Sequence, residues 1–345
     1  MAPGAARAGV ALSLAPGVGR VRFRALLDEC GEHEAAFTRA VPESRRDALL
    51  HEAALLIERA EGCESQVAVY GLPSYPSRLR DLPDPPPVLY LDGHAAWLGE
   101  GPVVGMVGTR AATSYGERVT GEIAGQLARA GALVVSGMAR GIDAAAHRGA
   151  LGAGGRSGAV LGTGIDIAYP ASHRSLHAEL RERGVVATEV PPGEKATGGS
   201  FPERNRIIAA LSDLVIVIEA GRKSGALITA SRALELGRAV AAVPGPIDSP
   251  QSAGSNELLR DGAQLIASAA DALALVGLTA PPRAPATDAS GVERVVWDAL
   301  SRGALDLDAL ASRTALPARV LMAAVTRLEL SGAVECALTG EVRRR

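Results

Sequence analysis

The chain has 345 residues, of which 47% are hydrophobic and 21% are charged, so it can form one sizeable core and one or two smaller domains. Its formal net charge of −2 excludes a surface that is basic throughout, and any contact with a polyanion must therefore be local. Lys195 and Lys223 are the only lysines, so arginine must supply almost every cationic contact.

Residues 1–70 have the pattern of a small helical domain. Residues 11–30 predict a helix, a hairpin with the sequence Pro-Gly-Val-Gly at 16–19 and a second helix, and the alanine-rich stretch to about residue 60 continues as helices. The hairpin resembles the turn of helix-hairpin-helix modules, whose backbone amides meet DNA phosphates, and Arg20, Arg22 and Arg24 follow it. We predict a helix-hairpin-helix or SAM-like domain here.

Residues 103–276 alternate short β-branched runs with longer amphipathic stretches, which is typical of βα units in a parallel sheet, and we assign residues 71–278 to one extended core domain. A proline-rich joint at 83–87 precedes the first run. The six clearest strands are residues 103–107, 132–136, 157–161, 185–189, 214–218 and 239–243, with a weaker seventh at 263–266. The sequence therefore predicts an α/β fold with a doubly wound, mostly parallel, Rossmann-like sheet.

The end of the chain predicts a separate small domain. A Pro/Ala-rich linker at residues 279–290 precedes it, and residues 291–345 have the pattern of three short helices and a terminal hairpin. That order is typical of a winged helix. Its recognition helix, at about residues 317–330, offers only Arg319 and Arg327, so a contact with protein is as plausible as one with DNA.

The cysteines and the apolar runs indicate the compartment. Cys30, Cys63 and Cys336 are far apart and form no CxxC or Cys/His metal spacing, which is typical of a reducing environment. No apolar run is long enough to span a membrane, and the first residues lead into no signal-like segment. We expect a cytoplasmic protein without a membrane contact or a metal.

Glycine and small polar residues follow most predicted strands of the core. The first strand runs into Gly108-Thr109-Arg110, and similar turns occur at 136–141, 162–166, 219–225 and 244–245. The carboxyl ends of parallel strands meet at one edge, where such sheets bind ligands. Glycine turns direct amide N–H groups at an anion, and arginine adds charge-assisted contacts to phosphate. One such turn needs no ligand, but five on one edge predict a phosphate-binding rim.

The motifs of common nucleotide enzymes are absent from this sequence. There is no GxGxxG after the first strand, no GxxxxGK[ST] loop, no HExxH helix and no GxSxG elbow. Ser136 and Gly137 stand where a dinucleotide enzyme places the acid that holds a ribose. We predict a protein that is not an enzyme, without catalytic residues or a cofactor.

A series of motifs between about residues 105 and 265 resembles one family. The motifs are VGTR at 107–110, SGMARGID at 136–143 with His147, GTGID at 162–166 with Tyr169-Pro170, FPERNRIIAALS at 201–212, EA at 219–220, SGALITA at 224–230 and VPG at 243–245. In this order and spacing they resemble the DNA-processing protein A (DprA/Smf) family. The resemblance is specific because it extends over so long a stretch.

The resemblance implies a non-catalytic protein that binds single-stranded DNA, forms a homodimer and loads a RecA-type recombinase onto incoming strands during natural transformation. In the family, the arginine of the GTR or GSR motif contacts DNA phosphate. That role falls on Arg110, with Gly108 and Thr109 shaping the turn. Many members carry a basic residue after the Tyr-Pro pair, where Ala171 stands here, and His173 or Arg174 are the expected substitutes.

The turns and the resemblance together give the expected DNA-binding residues, which are Gly108, Thr109, Arg110, Arg140, Gly164, Arg174, Phe201, Arg204, Asn205 and Arg206. Two arginines of this set, at 204 and 206, stand at a helix start, where the helix dipole disfavours cations unless an anion is near. A structural network with Glu203 or Asp213 explains them equally well. Phe201 is a candidate for stacking on a base, although a lone aromatic residue more often belongs to the core.

Four other polar residues are expected to support the structure. Asp143 and His147 lie four positions apart on one predicted helix, but no further partner completes a catalytic site. Glu189 and Glu219 end strands at the rim, where a carboxylate would repel phosphate, so we expect them to orient neighbouring arginines.

Two other functions stay open. Related Rossmann cores that cleave nucleoside monophosphates carry a glycine-rich loop followed by threonine on the next helix, and Ser224-Gly225 and Thr229 have that arrangement. Those enzymes place an acid just after the threonine, whereas Ala230 follows here. A nucleotide-binding protein or nucleoside-monophosphate hydrolase is therefore the main alternative. An interaction scaffold built on the terminal domains would leave the polar rim unexplained.

Overall fold

The computed structural model of the chain describes residues 3–196, 199–279, 291–337 and 340–344. The chain consists of two units. Met1–Thr279 form the first unit and Ala280–Arg345 the second. Residues 280–290 of the predicted linker lie outside the described residues.

A nine-stranded sheet forms the centre of the first unit, as far as its residues are described, in the order β1-β2-β6-β5-β4-β3-β7-β8-β9. The strands are β1 (Gln66–Val69), β2 (Val88–Gly93), β3 (Val103–Gly108), β4 (Leu133–Ser136), β5 (Arg156–Val160), β6 (Val185–Thr188), β7 (Leu214–Ile218), β8 (Ala239–Ala242) and β9 (Gln264–Leu265). Strands β3 to β9 pair in parallel, and β1 and β2 add an antiparallel edge. The predicted doubly wound, mostly parallel sheet is confirmed.

Helices cover both faces of the parallel strands. They are α5 (Ser114–Arg129), α6 (Ile142–Gly152), α7 (Arg174–Arg183), α8 (Ser200–Leu211), α9 (Gly225–Glu235), α10 (Ala253–Arg260) and α11 (Ala269–Leu275). Strand β7 is apolar throughout because both of its faces are covered by helices. Val215 and Val217 pack with α8 and α9, and its other three residues pack with α5 and α6 on the opposite face.

The N-terminal helices are α1 (Pro3–Leu14), α2 (Arg20–Cys30), α3 (His33–Ala40) and α4 (Glu43–Gly62). Their buried residues share a core with the sheet: Leu12 and Phe23 of the helices belong to the same cluster as Tyr90 of β2 and Leu161 after β5. The domain boundary that the sequence places at residue 70 stays a prediction.

The connections of the sheet change direction at β3. The chain runs from β3 through β4 and β5 to β6, then returns along α8 to β7, which lies on the other side of β3. The turns that follow β3 and β7 therefore separate at their carboxyl ends and leave a crevice, which is the usual ligand site of such sheets.

The second unit is a winged helix. It consists of α12 (Gly291–Ala299), β10 (Leu305–Asp306), α13 (Leu307–Thr314), α14 (Ala318–Leu330), β11 (Val334–Cys336) and β12 (Glu341–Arg344). Its antiparallel strands have the order β10-β12-β11, and its core surrounds Trp297 and Leu321. This confirms the winged-helix prediction. None of the helices that the structure describes is long and apolar enough to cross a membrane.

Candidate nucleic-acid interface

A cavity of about 500 Å³ lies where β3 and β7 end. We call it the rim pocket. Its lining comes from residues 107–110 after β3, Ala139 and Asp143, residues 201–208 at the start of α8, and residues 221–229 after β7. The rim pocket brings together six of the predicted DNA-binding residues, namely Gly108, Thr109, Arg110, Phe201, Arg204 and Asn205.

Close backbone packing fixes the turn that carries Arg110. A β-carbon on Gly108 would lie 1.9 Å from the carbonyl oxygen of Ile218, so only glycine lets β3 end beside β7. The amide of Thr109 donates to the carbonyl of Glu219 at 2.7 Å. Gly141, with φ +74°, packs against the carbonyl oxygen of Thr109 from the other side. The Arg110 side chain is exposed on this fixed turn.

An aromatic cluster stands beside Arg110. The Cζ atom of Arg110 lies 5.5 Å from the ring centroid of Phe201, which favours a cation–π contact. The rings of Phe201 and Tyr169 are 5.0 Å apart, and Tyr169 is 48% exposed. Phe201 is half-buried and lines the rim pocket, so the structure places it at the surface of the pocket and not in the core.

Arg204 forms the floor of the rim pocket and is only 5% exposed. Its Nη1 donates to the carbonyl of Val160, and its guanidinium fills the space that a β-carbon on Gly137 would need. Its Nε has no hydrogen-bond partner among the described residues. Burial lowers the pKa of Arg204 to about 10, with Asp143 opposing this effect and Arg110 adding to it. The group therefore stays charged at neutral pH.

Asp143 and His147 support the floor from below. Asp143 accepts a hydrogen bond from the amide of Ala139 at 3.2 Å, and burial raises its pKa while the nearby Arg204 lowers it. The Nδ1 of His147 lies 2.9 Å from the hydroxyl of Ser157, and burial lowers the pKa of His147 to about 3. These contacts favour the structural role expected for both residues.

Arg206 points away from the rim pocket into an ion-pair network. Its side chain is 7% exposed and lies 2.6 Å from Glu189 and 3.3 Å from Asp84. Arg20 of α2 contacts the same Glu189 at 3.1 Å and Glu203 at 2.7 Å. Arg206 thus belongs to an ion-pair network whose acids are Glu189 and Asp84, and Arg20 links this network to Glu203. Whether Arg206 also contacts DNA stays a prediction.

The two strand-end glutamates have different roles. Glu189 orients arginines, as expected, through the contacts with Arg20 and Arg206. For Glu219 the expectation is wrong, because its carboxylate accepts hydrogen bonds from the amide of Thr113, at 2.9 Å, and from the hydroxyl of the same residue. Thr113 caps α5, so Glu219 fixes the start of that helix.

Arg140, Gly164 and Arg174 lie outside the rim pocket. Arg140 is exposed on the turn next to Gly141, and Arg174 is exposed at the first position of α7. Gly164 is buried, and a β-carbon there would lie 2.6 Å from the carbonyl oxygen of Pro191. Its role is thus close loop packing. Whether any of the three contacts DNA stays a prediction.

The glycine-rich turn after β7 adds residues that sequence reasoning did not select. Arg222 and Lys223 are exposed and line the rim pocket, and the hydroxyl of Ser224 accepts from the amide of Ala226 to cap α9. The run 219–225 was visible in the sequence as one of the rim turns. Its two cations could have been selected by the same argument that selects Arg110.

The lining of the rim pocket is strongly cationic for a chain of net charge −2. It contains Arg110, Arg204, Arg222 and Lys223 against one acid, Asp143. The first turns of α8 and α9 also lie at the pocket, and helix N-termini favour anions. This arrangement can bind phosphate groups.

Comparison with known sequences identifies both units. The family model described as DNA recombination-mediator protein A matches residues 66–277, and the model described as DprA winged helix domain matches residues 280–337. A DNA processing protein DprA of Mycobacterium tuberculosis is 46% identical over 240 residues, which cover 67% of this chain and 61% of that protein. The DNA processing protein DprA of Bacillus subtilis is 41% identical over 197 residues, covering 57% of this chain and 66% of that protein. The chain thus spans about 61% of the length of its mycobacterial relative.

Solved structures agree with these matches. The X-ray structure of DNA processing protein A from Streptococcus pneumoniae superposes with a TM-score of 0.65 at 32% identity, covering 78% of this chain and 95% of that one. The Helicobacter pylori protein, whose structure describes its single-stranded DNA binding mode, has a TM-score of 0.55 at 33% identity, covering 59% of this chain and 92% of that one. Since the first family model covers more than half of the sequence, this chain belongs to the DNA recombination-mediator protein A (DprA/Smf) family.

Proposed function

We propose that the protein binds single-stranded DNA in the rim pocket and acts, without catalysis, as a recombination mediator. The observation that carries the proposal is the gathering of four cations and one acid at the carboxyl ends of β3 and β7. The H. pylori relative binds single-stranded DNA, which supports the same ligand class for this chain.

The shape of the site favours a single strand over a duplex. The rim pocket is a cavity of about 500 Å³, a size that accommodates a nucleotide but not the side of a double helix. Phe201 and Tyr169 offer aromatic surface beside Arg110, and unpaired bases stack on such surfaces without regard to sequence. Phosphate contacts from Arg110, Arg222 and Lys223 would fix the backbone.

The remaining parts of the function come from the family resemblance. We propose that Arg140 and Arg174 extend the phosphate track from the rim pocket toward β4 and β5, since Arg140 is exposed on the turn after β4 and Arg174 is exposed at the start of α7, which follows β5. We also propose that the protein forms a homodimer and loads a RecA-type recombinase onto the bound strand during natural transformation, in the cytoplasm. The winged helix would then contact protein, because α14 carries only two basic residues, Arg319 and Arg327, and the second is paired with Glu293 at 2.9 Å.

Binding of a free nucleotide is the second candidate function, because the rim pocket lies where related sheets bind nucleotides. Hydrolysis of a nucleotide has less support. Ala230 follows Thr229 on α9, and the carboxylate of Asp143 is engaged with the 136–141 turn and Arg204.

A fluorescence titration with oligo-dT tests the proposal. Affinity should fall steeply between about 50 mM and about 200 mM salt, because phosphate contacts release counterions. Arg110→Ala should weaken binding about tenfold, as expected for one charge-assisted contact to phosphate. Arg260→Ala is the matched control, since that side chain is 72% exposed and pairs only with neighbours on its own helix end. Tight binding and cleavage of a nucleoside monophosphate, without oligo-dT binding, would favour the second candidate.

A further inference from the structure

A second cavity, of about 400 Å³, lies between the N-terminal helices and the sheet. We call it the hairpin pocket, because the turn between α1 and α2, with Val18, Gly19 and Arg20, forms one wall. The opposite wall comes from β2 and from the segments that follow β5 and β6. Its volume is within the range of small-ligand sites.

The side walls of the hairpin pocket are apolar. Leu14 and Leu56 line it from the helices, Val18 lines it from the turn between α1 and α2, and Val88 and Val190 line it from the sheet side. Such walls favour a ligand with apolar faces, and a flat ring buries both of its faces between them.

A phenol donor without a protein partner lines the hairpin pocket. Tyr90 is 2% exposed as a residue, and its hydroxyl makes no hydrogen bond to any residue that the structure describes. A donor that lines a cavity and has no protein partner is available to a ligand that carries an acceptor. Burial raises the pKa of Tyr90 to about 12, which keeps the phenol protonated as a donor.

The charges of the hairpin pocket differ from those of the rim pocket. Arg20, Lys195 and Arg204 face an equal number of acids, which are Glu189, Glu194 and Glu203. Arg20 is already bound to Glu189 and Glu203. Because the positive and negative charges of the lining are equal in number, the pocket does not favour a phosphate group. It suits a neutral ligand whose edge carries hydrogen-bonding groups. A nucleobase has this combination of apolar faces and polar edge.

The two pockets share a wall. Arg204 lines both, and in the first turn of α8 Phe201 lines the rim pocket while Ser200 lines the hairpin pocket. One strand can therefore reach both cavities with neighbouring parts. The α1–α2 turn, which the sequence suggested as a DNA contact, lies at the second cavity.

We propose that the hairpin pocket holds one unstacked nucleobase of the strand whose phosphates lie in the rim pocket, an inference that rests on the proposed function. The base inserts between Val18 and Leu56 on one side and Val88 on the other, and accepts a hydrogen bond from Tyr90. The N-terminal helices are then part of the DNA site.

Abasic scanning of oligo-dT tests this inference. A tetrahydrofuran residue replaces one nucleotide at a time, and affinity is measured by fluorescence anisotropy. One position should lose affinity about fivefold or more, the effect of one lost base contact. In Leu56→Trp, which fills the pocket from a half-buried position, the penalty at that position should vanish. Leu55→Trp is the matched control, because Leu55 is 46% exposed and should leave the penalty unchanged.

Tyr90→Phe provides a second test that a structural role would not reproduce. Removing a hydroxyl that has no protein partner should leave the melting temperature unchanged. The same substitution should weaken binding of unmodified oligo-dT about threefold, by loss of one hydrogen bond to the base. It should leave binding of the oligonucleotide that is abasic at the sensitive position unchanged.

The possible results separate the two proposals. Absence of oligo-dT binding overturns the proposed function and this inference together. Binding that depends on Arg110, with a penalty that Leu56→Trp and Tyr90→Phe do not alter, overturns this inference alone. In a third outcome, free thymidine binds the wild type but not Leu56→Trp, while the affinity penalty of the abasic position is the same in both proteins. That result overturns this inference in favour of a nucleoside site independent of the strand.

Discussion

The guanidinium of Arg110 lies over the ring of Phe201, with Cζ 5.5 Å from the ring centroid. The two residues come from different motifs, one from the turn after β3 and the other from the first turn of α8. The contact restricts the rotamers of Arg110 already in the free protein. Less conformational entropy is therefore lost when Arg110 binds DNA. Arg110 and Phe201 should therefore act as a unit.

Binding energies of the two residues should be non-additive. Oligo-dT affinity measured for Arg110→Ala, Phe201→Leu and the double variant should give a coupling energy of about 0.5–1 kcal/mol. The control cycle uses Arg156 and Trp97, which form a similar contact at 5.2 Å. Arg156 begins β5 and Trp97 lies in the segment before β3, so both are at the amino ends of the strands, away from the rim pocket. That cycle should leave oligo-dT affinity unchanged. Additive effects of Arg110→Ala and Phe201→Leu would contradict the pre-orientation of Arg110.

Gly108→Ala should destabilise the first unit. The added methyl group meets the carbonyl oxygen of Ile218 at 1.9 Å and Ile142 at 2.5 Å, so β3 and β7 must separate. We expect the free energy of unfolding in urea to fall by about 3 kcal/mol. Gly121→Ala on α5 is the control, because a β-carbon there meets no atom within 4 Å. It should stabilise by about 0.5–1 kcal/mol, and equal effects of the two variants would refute the packing argument.

Arg206→Met should affect stability and not DNA binding. It removes one partner from Glu189, whose side chain is 14% exposed, and leaves Arg20 as the remaining cation. The free energy of unfolding should fall by about 3 kcal/mol, the lower end for a broken buried pair. Oligo-dT affinity of the folded variant should change by less than about twofold, within the error of one surface contact. A loss of affinity comparable to that of Arg110→Ala would show that Arg206 contributes to DNA binding.

His147 should make the protein less stable in mild acid. Its pKa is about 6.5 when exposed and about 3 when buried in the fold. Between these values the unfolded chain binds a proton that the folded chain does not, so unfolding becomes easier as the pH falls. The slope from this group is up to about 1.4 kcal/mol per pH unit.

Urea unfolding at about pH 7 and about pH 5 measures this slope. His147→Asn, which retains a polar group opposite Ser157, should have a smaller difference between the two pH values than the wild type. The exposed His51 provides the control, and His51→Asn should retain the wild-type difference. An unchanged difference in His147→Asn would show that the group is already accessible to protons.

Much of the fold could be predicted from the sequence. The six clearest predicted strands match β3 to β8 within one residue at each end, because each is a short, mostly apolar run bounded by turn residues. Strands β1 and β2 were not predicted. β1 has only four residues, and β2 follows a proline-rich stretch. The pairing of β2 with β6 is a long-range contact that no local pattern encodes.

The site was predictable in part. The glycine turn and Arg110 follow from the rule that ligands bind at strand ends, and the rim pocket lies there. The burial of Arg204 and Arg206 could not be seen, because both sit in a run that looks polar and exposed on a sequence. Their acids, Asp143 for one and Glu189 for the other, come from distant segments. Tyr169 was noted only as part of a motif, and its contact with Phe201 depends on tertiary packing.

The guanidinium of Arg204 occupies the place of a side chain at position 137, at 2.1 Å from where a β-carbon would stand. Two motifs that are far apart in the chain are thus in direct contact, and the contact requires a residue without a side chain at position 137 and a long side chain at position 204. Among relatives, a larger residue at position 137 should occur only with a shorter one at position 204, and single exchanges at either position should be selected against. Substitutions at these two positions should therefore covary throughout the family.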